Sequence, residues 1–284
     1  MNLSKSSSGH YYFSKGEGDP LILLHGFPDC AENFQQQLNF FSSHGYQVIA
    51  PYLPGYHPED KELDTYQSIR IAEEIIEFIM SVTDKKISLF GHDWGASIAY
   101  GVAGLEPDLV SKMITVSVPH GISVGASFLS DGDQQRKSWY MFFFQLPIAD
   151  LAVANNNFNF IERLWMDWSP NWPGYEPYAK NTIKVLAKEN VLSNALAYYR
   201  CTFQESLQIE RINKLAEELM GQKIKMPSLY LHGENDGCIG ANLSKGMENF
   251  FEDLQMKVLP DCGHFLHLEK PEEVNKIILD FLSS

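Results

Sequence analysis

Three residues far apart in the chain, Asp93, Asp236 and His264, stand where a side chain can act as a reagent. Asp93 lies in Ile87-Ser88-Leu89-Phe90-Gly91-His92-Asp93-Trp94-Gly95-Ala96-Ser97. An apolar, β-prone run there meets a Gly-x-x-x-Gly turn and then a helix-forming tail. Such a turn is too tight for a Cβ at its flanks, and it lifts its apex side chain out of the sheet toward the amides that open the helix. Asp236 follows the run Ser228-Leu229-Tyr230-Leu231-His232, and His264 follows the run Met256 to Leu259. A carboxylate is a poor acyl-transfer nucleophile but can displace at a saturated carbon when the leaving oxygen or halide is stabilised, which leaves an ester on the protein. A histidine oriented by a second carboxylate can then activate water against that ester. Each residue also has a plainer use: Asp93 as a helix cap, Asp236 as a turn residue with Glu234 competing, and His264 as a solvated loop histidine.

The elements that position these residues follow from periodicity. His10 to Ser14 and Leu21 to Leu24 read as strands, and the second runs into His25-Gly26-Phe27-Pro28. Glu32 to Ser43 reads as a helix and Gln47 to Ala50 as a strand. Thr65 is placed to cap a helix whose apolar face is Ile69, Ala72, Ile75, Ile76 and Ile79. A helix from Ala96 to Leu105 and a strand from Met113 to Val118 continue an alternation that implies a parallel sheet covered on both faces. From 120 to 221 the composition turns aromatic and helical, with no comparable strand. The expected organisation is therefore a core of residues 1–119 and 222–284 with a helical cap of residues 120–221 inserted in it. A helix from Pro271 to Leu282 closes the chain.

The totals narrow the function. A chain of 284 residues, 44% hydrophobic and 20% charged, can bury one large core. A net charge of −14 with no basic stripe argues against nucleic acid and against an anionic membrane. Cys30, Cys201, Cys238 and Cys262 are too scattered for a metal-ligand motif or a disulfide framework, so reduced thiols are expected. The polar start and the lack of any apolar run of about 18 residues lead to the expectation of a cytoplasmic protein.

The order Asp93, Asp236, His264, the His25-Gly26-Phe27-Pro28 turn, Gly91-His92-Asp93-Trp94-Gly95 and the inserted helices together resemble the epoxide hydrolase branch of the α/β-hydrolase fold, over nearly the whole chain. The fold implied is a mostly parallel, eight-stranded sheet flanked by helices. The resemblance implies hydrolysis of an epoxide to a vicinal diol, with Asp93 as nucleophile, His264 as base and Asp236 as its orienting acid. The backbone N–H groups of Phe27 and Trp94 form the implied oxyanion hole. Opening an epoxide produces an alkoxide, which an O–H donor must meet, and a tyrosine with a pKa of about 10 suits it. Epoxide hydrolases use two cap tyrosines, and the segments Tyr140-Met141-Phe142-Phe143-Phe144-Gln145-Leu146-Pro147 and Ala195-Leu196-Ala197-Tyr198-Tyr199-Arg200 resemble those that carry them. Tyr140 and Tyr199 are the implied donors, with Tyr198 as the obvious substitute. The side chains of Phe27, Trp94, Trp139 and Tyr198 are expected around the substrate. His25 and Pro28 should shape the oxyanion loop, while His92 and His120 are read as structural.

The implied reaction needs no cofactor and no metal, only water and a small apolar epoxide, in a monomer or homodimer. One departure stands out: a loop that in this family reads Asp-x-x-Gly-Tyr-Gly is here Tyr52-Leu53-Pro54-Gly55-Tyr56-His57, which puts the packing beside the oxyanion turn in question. A hydrolytic dehalogenase using the same three residues is the nearest alternative. Haloalkane dehalogenases usually carry Asn at the Phe27 position and fluoroacetate dehalogenases Arg at the Trp94 position, and neither is present, although Trp139 offers the haloacid enzymes' cap tryptophan. A non-catalytic binding protein of the same fold has no need to keep all three reactive residues.

Overall fold

The computed structural model describes residues 2–284. Eight strands form one sheet in the order β1-β2-β4-β3-β5-β6-β7-β8: β1 (Leu3–Lys5), β2 (Tyr11–Lys15), β3 (Asp19–Leu24), β4 (Tyr46–Pro51), β5 (Ile87–His92), β6 (Val110–Val116), β7 (Ser228–Gly233) and β8 (Leu254–Leu259). Only β1 with β2 and β2 with β4 pair antiparallel; the other pairs are parallel. The central strands are continuous apolar runs because helices cover both of their faces, and every residue of β5 and β7 is buried. Helices α1 (Gln35–Ser42), α2 (Ser68–Val82) and α3 (Trp94–Leu105) link the early strands. The α2 face of Ile71, Ala72, Ile75 and Phe78 is buried, as its spacing requires.

Between β6 and β7, among the described residues, lie seven α-helices, one 3-10 turn (Glu205–Leu207) and no strand: α4 (Gly121–Ser130), α5 (Gly132–Lys137), α6 (Trp139–Phe143), α7 (Ala149–Trp168), α8 (Glu176–Leu186), α9 (Val191–Phe203) and α10 (Glu210–Met220). Helix α7 is interrupted at Asn155 to Phe158, where three residues take positive φ. Helices α11 (Leu266–Glu269) and α12 (Pro271–Ser283) end the chain.

Several local expectations are corrected. Leu3-Ser4-Lys5 forms an edge strand, too short and polar to announce itself, held by pairing with β2. The helix expected over 32–43 divides into a 3-10 turn, Ala31–Phe34, and α1. Thr65 does not cap α2, whose N-cap is Gln67; lying too far upstream, its hydroxyl donates instead to the Leu207 carbonyl at 2.9 Å. Strand β8 begins two residues earlier than expected, because its exposed residues pair with β7 through backbone alone.

The loop lacking the family's acidic residue is supported from downstream: Asp60 Oδ2 accepts from the Gly55 and His57 amides at 2.9 and 3.0 Å. Its other anchor is His25, whose Nε2 accepts from the Leu53 amide at 3.1 Å. Among the described residues, no helix is long and apolar enough to cross a membrane.

Candidate active site

The turn between β5 and α3 places Asp93 at φ 53° and ψ −118°, a conformation that costs a non-glycine residue roughly 1–3 kcal/mol. The closeness of its flanks explains the glycines: a Cβ on Gly91 would lie 2.2 Å from the Gly95 carbonyl oxygen. Asp93 is thereby raised from the carboxyl end of a central strand, where open α/β sheets gather their ligands.

The loop after β3 comes to meet it. The Phe27 amide donates to Asp93 Oδ1 at 2.7 Å. That approach requires Gly26, since a Cβ there would stand 2.3 Å from the same oxygen. The Trp94 amide, first in α3, lies at the helix N-terminus where its N–H has no partner within the helix.

His264 faces the other carboxylate oxygen. Its Nε2 is 3.6 Å from Asp93 Oδ2, and its Nδ1 donates to Asp236 Oδ2 at 2.8 Å. The Asp236 Oδ1 atom accepts from the Cys238 and Ile239 amides at 2.7 and 2.8 Å, and His232 Nε2 stands 3.2 Å from Oδ2. Burial opposes the charge on Asp236, but His264 and His232 outweigh it and hold its pKa well below the usual carboxylate range. Burial likewise lowers the His264 pKa, and the Asp236 and Asp93 carboxylates overcome it, raising the value to about 10. The His264 loop is fixed by its backbone: the amide donates to the Trp168 carbonyl at 3.0 Å, and the carbonyl accepts from His92 Nε2 and Ser117 Oγ at 3.0 and 2.6 Å.

The other residues singled out by sequence divide clearly. Tyr199, from α9, is buried with a hydroxyl that has no hydrogen-bond partner, and its ring meets those of Trp94 and Phe27 edge-on at 5.1 and 5.4 Å. Tyr140, from α6, lies 5.7 Å from the Tyr199 ring, with its hydroxyl 3.3 Å from Cys238 Sγ. Burial raises both phenol pKa values well above the ordinary one, so both hydroxyls keep their protons. Tyr198 is turned away, donating to the Pro54 carbonyl at 2.7 Å. Trp139 is 44% exposed, packs on Phe143 and Phe160, and borders a polar cleft with Lys137 and Asp167 rather than the cavity beside Asp93. His25 and His92 pack and hydrogen-bond; His120 stacks on Phe250.

Asp93, Trp94 and Tyr199 line a mainly apolar cavity of about 400 Å³ that also touches Val124, Phe128 and Leu219. Three participants escaped the sequence reading. Cys238, two residues beyond Asp236, reaches Tyr140, and His232, four residues before it, reaches its carboxylate. Trp168 packs edge-on against the His264 ring at 5.1 Å. Proximity to Asp236 was the only signal for the first two, and nothing local marked the third.

A family model described as alpha/beta hydrolase fold matches residues 19–271. The chain is 29% identical to epoxide hydrolase 3 of Xenopus tropicalis over 283 residues, 96% of this chain and 74% of that one. With epoxide hydrolase 4 of Homo sapiens the identity is 28%, over 99% of this chain and 78% of the relative. A crystal structure of an epoxide hydrolase from Bacillus megaterium, in complex with an inhibitor, superposes with a TM-score of 0.84 at 25% identity, covering 100% of both chains. The chain belongs to the α/β-hydrolase family and is an epoxide-hydrolase-like hydrolase.

Proposed function

We propose that this hydrolase opens epoxides to vicinal diols through an ester on Asp93. One observation carries the reading: a buried, unpartnered phenol, Tyr199, shares an apolar cavity with a carboxylate already held by a backbone amide. Asp93 Oδ2, which no backbone amide holds, attacks a ring carbon; the carbon–oxygen bond breaks, and the departing oxygen takes a proton from Tyr199, with Tyr140 as second donor. Water then adds to the Asp93 carboxyl carbon while His264 accepts its proton. The Phe27 and Trp94 amides receive the oxyanion; its collapse expels the diol, which takes the proton from His264, and leaves Asp93 as a carboxylic acid whose proton returns to the Tyr199 phenolate. Ester formation removes the Asp93 charge, so one of the two carboxylates that raise the His264 pKa disappears; the imidazolium then releases its proton to solvent and can act as a base in that step, regaining the proton once the Asp93 carboxylate is restored.

Residues 120–221 serve as the lid in this reading, bringing the tyrosines over a core of residues 1–119 and 222–284. The epoxide hydrolase names of the relatives support the substrate class, and the cavity lining favours an apolar substrate. The position of Trp139 outside the cavity weakens the haloacid alternative.

Incubation with styrene oxide, an aliphatic epoxide, a haloalkane and fluoroacetate tests the assignment. Diol from the epoxides is the expected result; halide release with no epoxide turnover would overturn it.

A further inference from the structure

Cys238 joins Asp93 and His264 in one buried group, in which one donor atom of each residue lies within 4.8 Å of the other two. Sulfur, imidazole nitrogen and carboxylate oxygen are the usual protein ligands of Zn²⁺. The nitrogen available is Nε2 of His264, because Nδ1 is committed to Asp236; Nε2 is fully buried and has no hydrogen-bond partner. Tetrahedral bonds of about 2.0–2.3 Å put donors roughly 3.3–3.7 Å apart. His264 Nε2 and Asp93 Oδ2, at 3.6 Å, already meet that spacing, so only the sulfur has to close in. Behind His264 stands Asp236, the carboxylate–imidazole pairing that orients a metal-bound ring and raises its basicity. Asp93 opens on the cavity, which gives an ion its route and leaves the fourth position to water.

We infer that Zn²⁺ binds through Cys238, His264 and Asp93 and that its occupancy switches the hydrolase off. The S–H bond of Cys238 and any N–H bond at Nε2 break, S–Zn and N–Zn bonds form, and the protons pass to solvent without change of oxidation state. The thiolate and the Asp93 carboxylate together balance the ion's double charge. Inhibition follows because the attacking oxygen and the base lone pair are both consumed; that part rests on the proposed function, whereas binding rests on geometry alone. A second buried group, Asp29, His92 and His267, also gathers three donor atoms within 4.8 Å, but it holds no sulfur and lines no part of the cavity beside Asp93.

Cobalt separates the two groups. Adding Co²⁺ to the metal-free wild-type protein should produce a thiolate-to-cobalt charge-transfer absorption that saturates at one equivalent; its absence overturns the ligation. Cys238→Val and Cys238→Ser should abolish that absorption. Relative to its own metal-free rate, each variant should need at least about tenfold more Zn²⁺ for half-inhibition of epoxide turnover. Equal zinc sensitivity in wild type and variants overturns the proposal. A charge-transfer band with undiminished turnover overturns the inhibition while leaving both the ligation and the hydrolase reading in place.

Discussion

His264 Nε2 stands 3.6 Å from Asp93 Oδ2, beyond hydrogen-bonding range, and has no other partner although it is fully buried. Its other nitrogen is fixed on Asp236, so the ring presents one free position toward the carboxylate that would carry the ester. At that distance the two side chains do not hydrogen-bond, so Nε2 is left available to a water that attacks the Asp93 carboxyl carbon.

Replacing that nitrogen separates the two chemical steps. In His264→Gln the attack by Asp93 should proceed while ester hydrolysis slows by about 10²–10⁴-fold. Intact-protein mass spectrometry after incubation with an epoxide should therefore find the protein heavier by one substrate. An unmodified mass, in a variant that still folds and binds substrate, would exclude the covalent route.

The same ion-pair geometry predicts a pH dependence of stability. Folding raises the His264 pKa from its ordinary 6.5 to about 10, so protonation favours the folded state. The contribution is fully present below pH 6.5 and is lost as pH climbs to about 10. Asp236 has the opposite sign, because its folded pKa is depressed; its contribution is present above the ordinary carboxylate range and lost in acid. The wild-type protein should therefore exceed His264→Gln in Tm at pH 6, by about 2–4 °C for each kcal/mol the ion pair contributes, and the gap should shrink steadily toward pH 10. Thermal unfolding at pH 6, 8 and 10 checks this, and a constant gap would mean that His264 is neutral in the folded protein.

The part of the site legible in the sequence is the part that local backbone geometry encodes. Gly91 and Gly95 announce the elbow because no larger residue fits against the neighbouring carbonyls, and Asp93 is then fixed at its apex. The alternation of strands and helices likewise declares the parallel sheet, since buried strands must be continuous apolar runs. Orientation within the helices between β6 and β7 is a different matter. Tyr198 and Tyr199 are adjacent on α9, about 100° apart around its axis, and sequence cannot tell which one faces the cavity. Packing decides: Tyr198 docks on Pro54, and Tyr199 turns to Asp93's cavity. Trp139 and Tyr140 divide in the same way on α6, one exposed and one buried. The triad formed by Asp29, His92 and His267 was invisible because its members come from three segments joined only by the folded sheet.

The two phenols should not be equal partners. Tyr199 has a free hydroxyl and lines the cavity, whereas the Tyr140 hydroxyl is engaged with Cys238 and lies outside that lining. Losing the free donor removes stabilisation from the developing alkoxide, so Tyr199→Phe should lower kcat for epoxide opening by about 10²–10³-fold. Tyr140→Phe should cost less, because its thiol contact must be given up before it can serve the ring oxygen. Stability should run the other way: Tyr199→Phe deletes a buried hydroxyl with no partner and should leave Tm unchanged or raised, while Tyr140→Phe loses a contact to sulfur. Pre-steady-state alkylation rates and thermal melts on the two single variants measure both orders. If Tyr140→Phe proves the more damaging to ring opening, the principal proton donor is Tyr140, and Tyr199 acts chiefly by holding Trp94 and Phe27 in place.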